Sequence, residues 1–312
     1  MKKIFIAGHK GMVGSAIYRN ISKKNKIIVA EKKDLNFLNF EKTYNFFKKH
    51  KFDHVYICAA KVGGILANTT YPADFIYENL QIQNNCIISS FKTKVKKLLF
   101  LGSSCIYPKD TVIPIKEKYL LTGKLEKTND AYAIAKIAGI KMCQSFNNQY
   151  NTDFRAVMPT NLYGPNDNYD PSNSHVLAAL IKKILIAKKL NNKIVTIWGN
   201  GRPKREFLHV DDFARACFKV MNISKKKYLN ICEYENQFIN IGSSKEISIK
   251  KLALLISEIV NYNGKFKYDK TKPNGTMRKL IDSSKIHQLN WYPKISIKSG
   301  IKSIITELMF NE

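Results

Sequence analysis

Three short strings hold the residues best suited to chemistry: Ser103-Ser104-Cys105, the stretch Tyr132-Ala-Ile-Ala-Lys136, and His175. The Tyr-x-x-x-Lys spacing puts both side chains on one face of a helix, one turn apart. There the charge on Lys136 lowers the pKa of Tyr132, and Ser103 upstream can hydrogen-bond the same substrate oxygen. Such a trio moves a proton to or from an oxygen while a nicotinamide moves a hydride at the same carbon. Cys105 and His175 add two groups that redox chemistry alone does not need. A thiol base on one face of a carbon, with an imidazole acid of near-neutral pKa on the other, is the arrangement that inverts that carbon.

The elements that must position these groups alternate. Ile4–Ala7 is a short apolar run read as a buried parallel strand, followed by a glycine turn and a helix to about Ser22. Further strands are expected at Lys26–Ala30, Val55–Ala59, Lys97–Leu101 and Phe154–Met158. Helices are expected at Glu41–His50, Ala73–Phe91 and Asp130–Tyr150. Strand and helix in alternation predict an α/β fold, a doubly wound parallel sheet covered on both faces. Beyond Pro159 the pattern loosens into a loop marked by Pro165 and Pro171. A helix over His175–Leu190, strands at Val195–Trp198 and Phe238–Gly242, and an amphipathic helix over Ile249–Tyr262 follow. Arg205–Asp212 reads as a strand entering a helix capped by an aspartate. The expected division is a nucleotide-binding domain over 1–165, to which 205–245 return, and a smaller C-terminal substrate domain over most of 166–312. Cys105 directly follows a strand and so sits at its C-terminal end, where open α/β sheets bind ligands.

Gly8-His9-Lys10-Gly11-Met12-Val13-Gly14 follows the first strand and opens a helix. Glycines there permit a tight turn and close backbone approach to a pyrophosphate at a helix N-terminus, the Rossmann-type arrangement. Glu31 near the end of the second strand suits a ribose 2′-hydroxyl. Lys10, Lys32 and Lys33 in the same region suit a 2′-phosphate, and three lysines against one acid favour NADP(H).

The chain of 312 residues is 45% hydrophobic, enough for a substantial core, and carries a formal charge of +28. That charge suits nucleic acid, an anionic membrane or an acidic small substrate, or simply lysine filling exposed polar positions. The lysines are spread along the chain with no arginine-rich block. The six cysteines are scattered without a Cys-x-x-Cys pair, so no metal site is expected. The N-terminal apolar run is too short for a signal peptide, and no stretch approaches the roughly 18 apolar residues of a membrane span. A reducing cytoplasm is the expected compartment.

Together these residues resemble the extended short-chain dehydrogenase/reductase family. The resemblance runs from Gly8 to about Trp291. It is carried by Ala60–Ile65, Tyr71–Tyr77, Leu101–Pro108, Ala131–Lys141, Met158–Asn168 and Arg205–Asp212. The Ser-Ser-Cys-Ile-Tyr-Pro string and Ser174-His175-Val176 narrow it to members that epimerise and reduce GDP-4-keto-6-deoxy sugars. It implies an NADPH-dependent enzyme acting on GDP-4-keto-6-deoxy-D-mannose, with Ser103, Tyr132 and Lys136 as the reductase trio, Cys105 as the epimerisation base and His175 as the acid. It further implies a cofactor site formed by Gly8 to Gly14, Lys32, Leu101, Gly102, Ser103, Ser104, Lys136, Pro159, Thr160, Asn161, Leu162 and His175. Lys183, Trp198, Arg205 and Asn274 would hold the GDP-sugar. Two positions depart from the family: Asn274 stands for an aspartate, a weaker acceptor for a ribose hydroxyl, and Lys32 stands for an arginine, losing its bidentate fork. A homodimer joined through the helices at Ala73–Phe91 and Asp130–Tyr150 is also implied, with no nucleic-acid or membrane partner. An enzyme for a related GDP-4-keto-6-deoxy sugar, such as a heptose, differs by few pocket contacts. A nucleotide-sugar 4-epimerase or dehydratase would not need the Cys105 and His175 pair.

Overall fold

The computed structural model describes residues 1–21, 25–170, 174–272 and 275–310. Its strands in chain order are β1 (Lys3–Ala7), β2 (Lys26–Ile28), β3 (His54–Ile57), β4 (Lys97–Leu101), β5 (Phe154–Pro159), β6 (Asn161–Tyr163), β7 (Ile194–Trp198), β8 (Lys204–His209), β9 (Phe238–Ile241), β10 (Glu246–Ser248), β11 (Lys265–Asp269) and β12 (Arg278–Lys279). The helices are α1 (Met12–Asn20), α2 (Phe40–His50), α3 (Ile65–Thr70), α4 (Pro72–Lys92), α5 (Asp130–Tyr150), α6 (Val176–Lys189), α7 (Val210–Asn222), α8 (Lys225–Ile231), α9 (Ile249–Val260), α10 (Ser284–His287) and α11 (Ile297–Phe310).

Continuous apolar runs become central strands because both faces of the sheet are covered. In β4, Leu98, Leu99 and Phe100 are wholly buried, and burying each such side chain contributes about 1.5–3 kcal/mol. The sheet runs β2-β1-β3-β4-β5-β9 with every pairing parallel. One face packs on α2, α4 and α5 through Phe47, Cys86, Ile87, Ile137 and Ile140. The other packs on α1 and α7 through Ala16, Ile17, Phe213, Ala214 and Cys217, with Ile286 and Trp291 arriving from late in the chain. This is a Rossmann-type doubly wound fold. The chain steps outward from β1 to β2, then crosses back to β3, so the crevice at the C-terminal ends of β1 and β3 is the topological switch point.

A third core gathers Leu180, Ile181 and Ile184 of α6, Val195 and Ile197 of β7, Leu252 and Ile256 of α9, and Ile301 and Ile304 of α11. Among the described residues β7 pairs with β11, and β8 pairs with β6, β10 and β12. β6 follows β5 after a single residue, Thr160, so the ends of β5 and β8 meet above the sheet.

The structure departs from the sequence reading in several places. β2 ends at Ile28 rather than Ala30, as an edge strand with one neighbour. α7 is capped by His209, whose Nδ1 accepts the Asp211 amide at 3.2 Å, and Asp211 and Asp212 occupy its first turn instead. α5, by contrast, keeps the expected bounds Asp130–Tyr150 and is capped by Asn151, which takes the left-handed conformation (φ 55°) that asparagine tolerates. β6, β10 and β12 have two or three residues each, too few to show a period.

Candidate active site

The turn leaving β4 carries the first three chemical groups. Ser103 is extended and caps a single helical turn at Ser104–Ile106, placing Cys105 directly above the sheet. The Cys105 thiol donates to Ser103 Oγ at 3.2 Å, and the Cys105 amide approaches the same oxygen at 3.4 Å. Ser103 also acts on the Tyr132 phenol, opposing the rise of its pKa. Ser103 therefore bonds the thiol and influences the phenol. The turn is anchored below: Tyr107 Oη donates to Asn240 Oδ1 at 2.5 Å, and the Asn240 amide donates to buried Glu117 at 2.9 Å.

α5 brings Tyr132 and Lys136 to the same place. Lys136 is buried, donates to the Leu101 carbonyl at 2.9 Å and lies 5.7 Å from the Tyr132 ring centroid. Burial pulls its pKa down to about 8. The expected lowering of Tyr132 by Lys136 does not appear: burial pushes the phenol above its ordinary value, the Cys105 sulfur adds to this, and Ser103 opposes it. The Lys136 ammonium is turned onto a carbonyl rather than the phenol oxygen. Tyr132 thus holds its proton, the state required to donate one.

His175 occupies the N-cap of α6, but its ring makes no capping bond. His209 at the N-cap of α7 shows the contrast, since its ring is engaged by a backbone amide. The His175 ring reaches solvent from within a wall of protein atoms, and that desolvation lowers its pKa. Among the described residues it makes no hydrogen bond to Cys105 or Ser103. Lys183 lies eight residues further along α6, about 12 Å up the axis. Its ammonium is 5.3 Å from the Trp198 ring centroid, and Lys272 lies 5.6 Å from the same ring. Arg205 is on β8 beside Gly275. Asn274 lies outside the described residues.

The glycine turn fits a dinucleotide. Gly8 has φ +82°, and a Cβ there would lie 2.7 Å from the Ala59 amide nitrogen; one on Gly14 would lie 2.1 Å from the Gly8 carbonyl oxygen. α1 begins at Gly11 with no side-chain cap, leaving its first amides free for an anion. Among the described residues His9 Nδ1 is buried there without a partner. Lys10, Gly11, Met12 and Val13 complete the turn; Leu101 ends β4, Gly102 and Ser104 follow it, and Pro159 ends β5. Thr160 and Asn161 are tied to the Glu206 carbonyl at 3.2 and 2.8 Å, and Leu162 packs against the core. Glu31 bonds Lys10 at 2.7 Å and lies 3.7 Å from Lys33, and Lys10, Lys32 and Lys33 are all exposed. Gly14→Ala should cost about 1–3 kcal/mol by overpacking. A thermal melt and a nicotinamide fluorescence titration should show lower stability and weaker binding together; unchanged binding would remove the turn from the cofactor site.

Sequence reasoning missed Lys279, Glu126, Asn129 and Lys272. Each is an ordinary polar residue in a chain with 52 lysines and arginines, and β12 is too short to announce itself. A larger cavity, about 390 Å³, is lined by Leu185, Lys188, Lys189, Val260, Leu308 and Met309, with no thiol, acid or hydroxyl side chain among the described residues that line it. Among the described residues no three of His, Cys, Asp and Glu cluster as metal ligands, and no helix is long and apolar enough to cross a membrane.

A parallel sheet with a glycine turn at its switch point, and a Ser-Tyr-Lys set beside it, defines a nucleotide-dependent enzyme class. The sequence pattern of the NAD dependent epimerase/dehydratase family matches residues 4–232, and the chain belongs to that family. A GDP-L-fucose synthase from Escherichia coli is 48% identical over 313 residues, covering 100% of this chain and 98% of its own. Among solved structures, a GDP-6-OMe-4-keto-L-xylo-heptose reductase from C. jejuni is 38% identical with a TM-score of 0.93, covering 100% of this chain and 98% of that one. A GDP-mannoheptose C4 reductase from Campylobacter jejuni with NADP bound is 39% identical with a TM-score of 0.89, over the same shares of the two chains.

Proposed function

We propose that the chain converts GDP-4-keto-6-deoxy-D-mannose to GDP-L-fucose by epimerisation at C3 and C5 and NADPH-dependent reduction at C4. The observation that carries this reading is the Ser103 hydroxyl, 3.2 Å from the Cys105 thiol, beside a phenol that burial keeps protonated. A base for carbon thus stands beside donors for the neighbouring oxygen. The 48% identical GDP-L-fucose synthase supports the substrate, and the NADP-bound reductase supports the cofactor.

The 4-keto group acidifies the protons at C3 and C5. Cys105, as thiolate, removes them in turn, and the enolate charge collects on the C4 oxygen. Ser103 and Tyr132 donate to that oxygen, where fixed donors stabilise developing charge. His175 returns a proton on the opposite face. When bound, the nicotinamide supplies the hydride for C4. Tyr132 protonates the C4 oxygen, and Lys136 fixes the turn after β4 through the Leu101 carbonyl. The residues reserved for the cofactor are the Gly8 to Gly14 turn, Lys32 at the adenosine end, Leu101–Ser104 with Pro159–Leu162, and Lys136 and His175. Lys183, Trp198, Arg205 and Asn274 are assigned to the GDP-sugar.

We further infer a nucleotide domain over 1–165 with 205–245 returning, supported by α7 and β9 on the sheet, and a substrate domain over most of 166–312. The exposed Tyr77 on α4 and Ile134 on α5 support a homodimer through this helix pair; sedimentation as a monomer would contradict it. Six free cysteines suit a reducing cytoplasm. The test of function is turnover of GDP-4-keto-6-deoxy-D-mannose with NADPH, followed by nicotinamide absorbance. Turnover of a 4-keto heptose in its place would favour the reading suggested by the C. jejuni reductase.

A further inference from the structure

Burial is the obstacle to using Cys105 as a base, because it favours the neutral thiol, while proton removal needs the thiolate. Few groups oppose it. Lys279 on β12 is the strongest, ahead of the Ser103 hydroxyl on the same turn and Lys136 on α5. Tyr132, also on α5, is neutral and contributes no positive charge.

Cys105 and Lys279 line one cavity of about 50 Å³ with Tyr107, Glu126, Asn129 and Arg278. Arg278 is committed elsewhere, forming a two-pronged contact to Glu246 at 2.7 and 3.0 Å. Lys109, at the cavity edge, pairs with Glu126 at 3.3 Å. Among the described residues Lys279 forms no such ion pair. Among the described residues the Oδ1 of Asn129, which lines this cavity, is buried without a partner. The backbone fixes Lys279 in place. It pairs in register with Arg205 on β8. The Ile115 amide donates to the Leu280 carbonyl at 2.8 Å, and the Ile281 amide donates to buried Glu206 at 3.1 Å.

We propose that Lys279 is a positioning residue for proton removal at carbon: its ammonium, held in the cavity beside Cys105, favours the thiolate form of that sulfur. The inference rests on the reading of Cys105 as the carbon base. Burial works against the charge on Lys279; Cys105 favours that charge, Arg205 opposes it and Glu126 favours it. Thiolate and ammonium therefore support each other and titrate as a pair.

The test is the pH dependence of Cys105 alkylation by iodoacetamide in the full chain without substrate, read peptide by peptide so that the other cysteines are separated. Lys279→Met should raise the alkylation midpoint by about one pH unit, slowing alkylation near neutral pH about tenfold. Lys279→Arg should keep the midpoint close to that of the unmodified chain. Lys279→Gln should repeat the upward shift even if the Met variant folds poorly. An unchanged midpoint in the neutral variants overturns the proposal, as does an effect confined to the KM for the GDP-sugar. A shifted midpoint in a chain that does not turn over that sugar upholds the role of Lys279 and overturns the substrate reading instead.

Discussion

Tyr132→Phe should lower ketone reduction by about 10²–10⁴-fold, the usual weight of a positioned proton donor. The variant loses one oxygen and little else. The ring packs edge-on against Phe75 at 6.2 Å, and that contact survives. Burial keeps the phenol protonated across the working pH range, so the hydroxyl serves as the acid for the C4 oxygen. Solvent exchange at C3 and C5 should fall much less, because Ser103 still donates to the enolate oxygen. Nicotinamide oxidation and deuterium uptake, measured on one sample, separate the two effects. An equal loss of both would make Tyr132 a general support for the site rather than the reductive acid. Titration of the phenol should not limit reduction at alkaline pH. Lys136 should, because its pKa near 8 means that it loses its charge as pH rises through that value. Lys136→Arg should move that limb upward.

Cys105→Ser should produce the opposite separation. A serine hydroxyl fills nearly the same space and can still bond Ser103, but it does not ionise near neutral pH. Deuterium uptake at C3 and C5 should fall by about 10²-fold or more, while some direct reduction of the ketone survives and yields an unepimerised 6-deoxy sugar. Normal epimerisation by this variant would remove Cys105 from the mechanism and leave His175 as the carbon base. That alternative has a physical basis, since burial leaves the free chain with a neutral imidazole and a neutral thiol. The epimerase reading requires the reverse protonation, which is why a cation beside the thiol matters.

The sheet was legible because its strands are unbroken apolar runs followed by turns, and such runs have few folds open to them. The Tyr132 and Lys136 pair was legible because helical spacing alone places them together. The later chain was not. β12 and β6 have two and three residues, and their pairing with β8 depends on contacts between distant segments rather than on any local pattern. Lys279 lies on such a strand, and its importance comes from a cavity that exists only after folding. His209 shows the same limit: a histidine before two aspartates looks like a strand end entering an aspartate-capped helix, and only the folded backbone shows that its own ring is the cap. The direction of the Tyr132 shift was misread for a related reason. Spacing fixes the face on which Lys136 lies, but not that its ammonium would find the Leu101 carbonyl first.

The most direct measurement of the central claim is NMR of the sugar formed from GDP-4-keto-6-deoxy-D-mannose and NADPH in deuterated water. GDP-L-fucose carrying deuterium at both C3 and C5 is the predicted product. A reduced sugar that retains the mannose configuration and its original protons at those carbons would show a reductase without epimerase chemistry and would contradict the account.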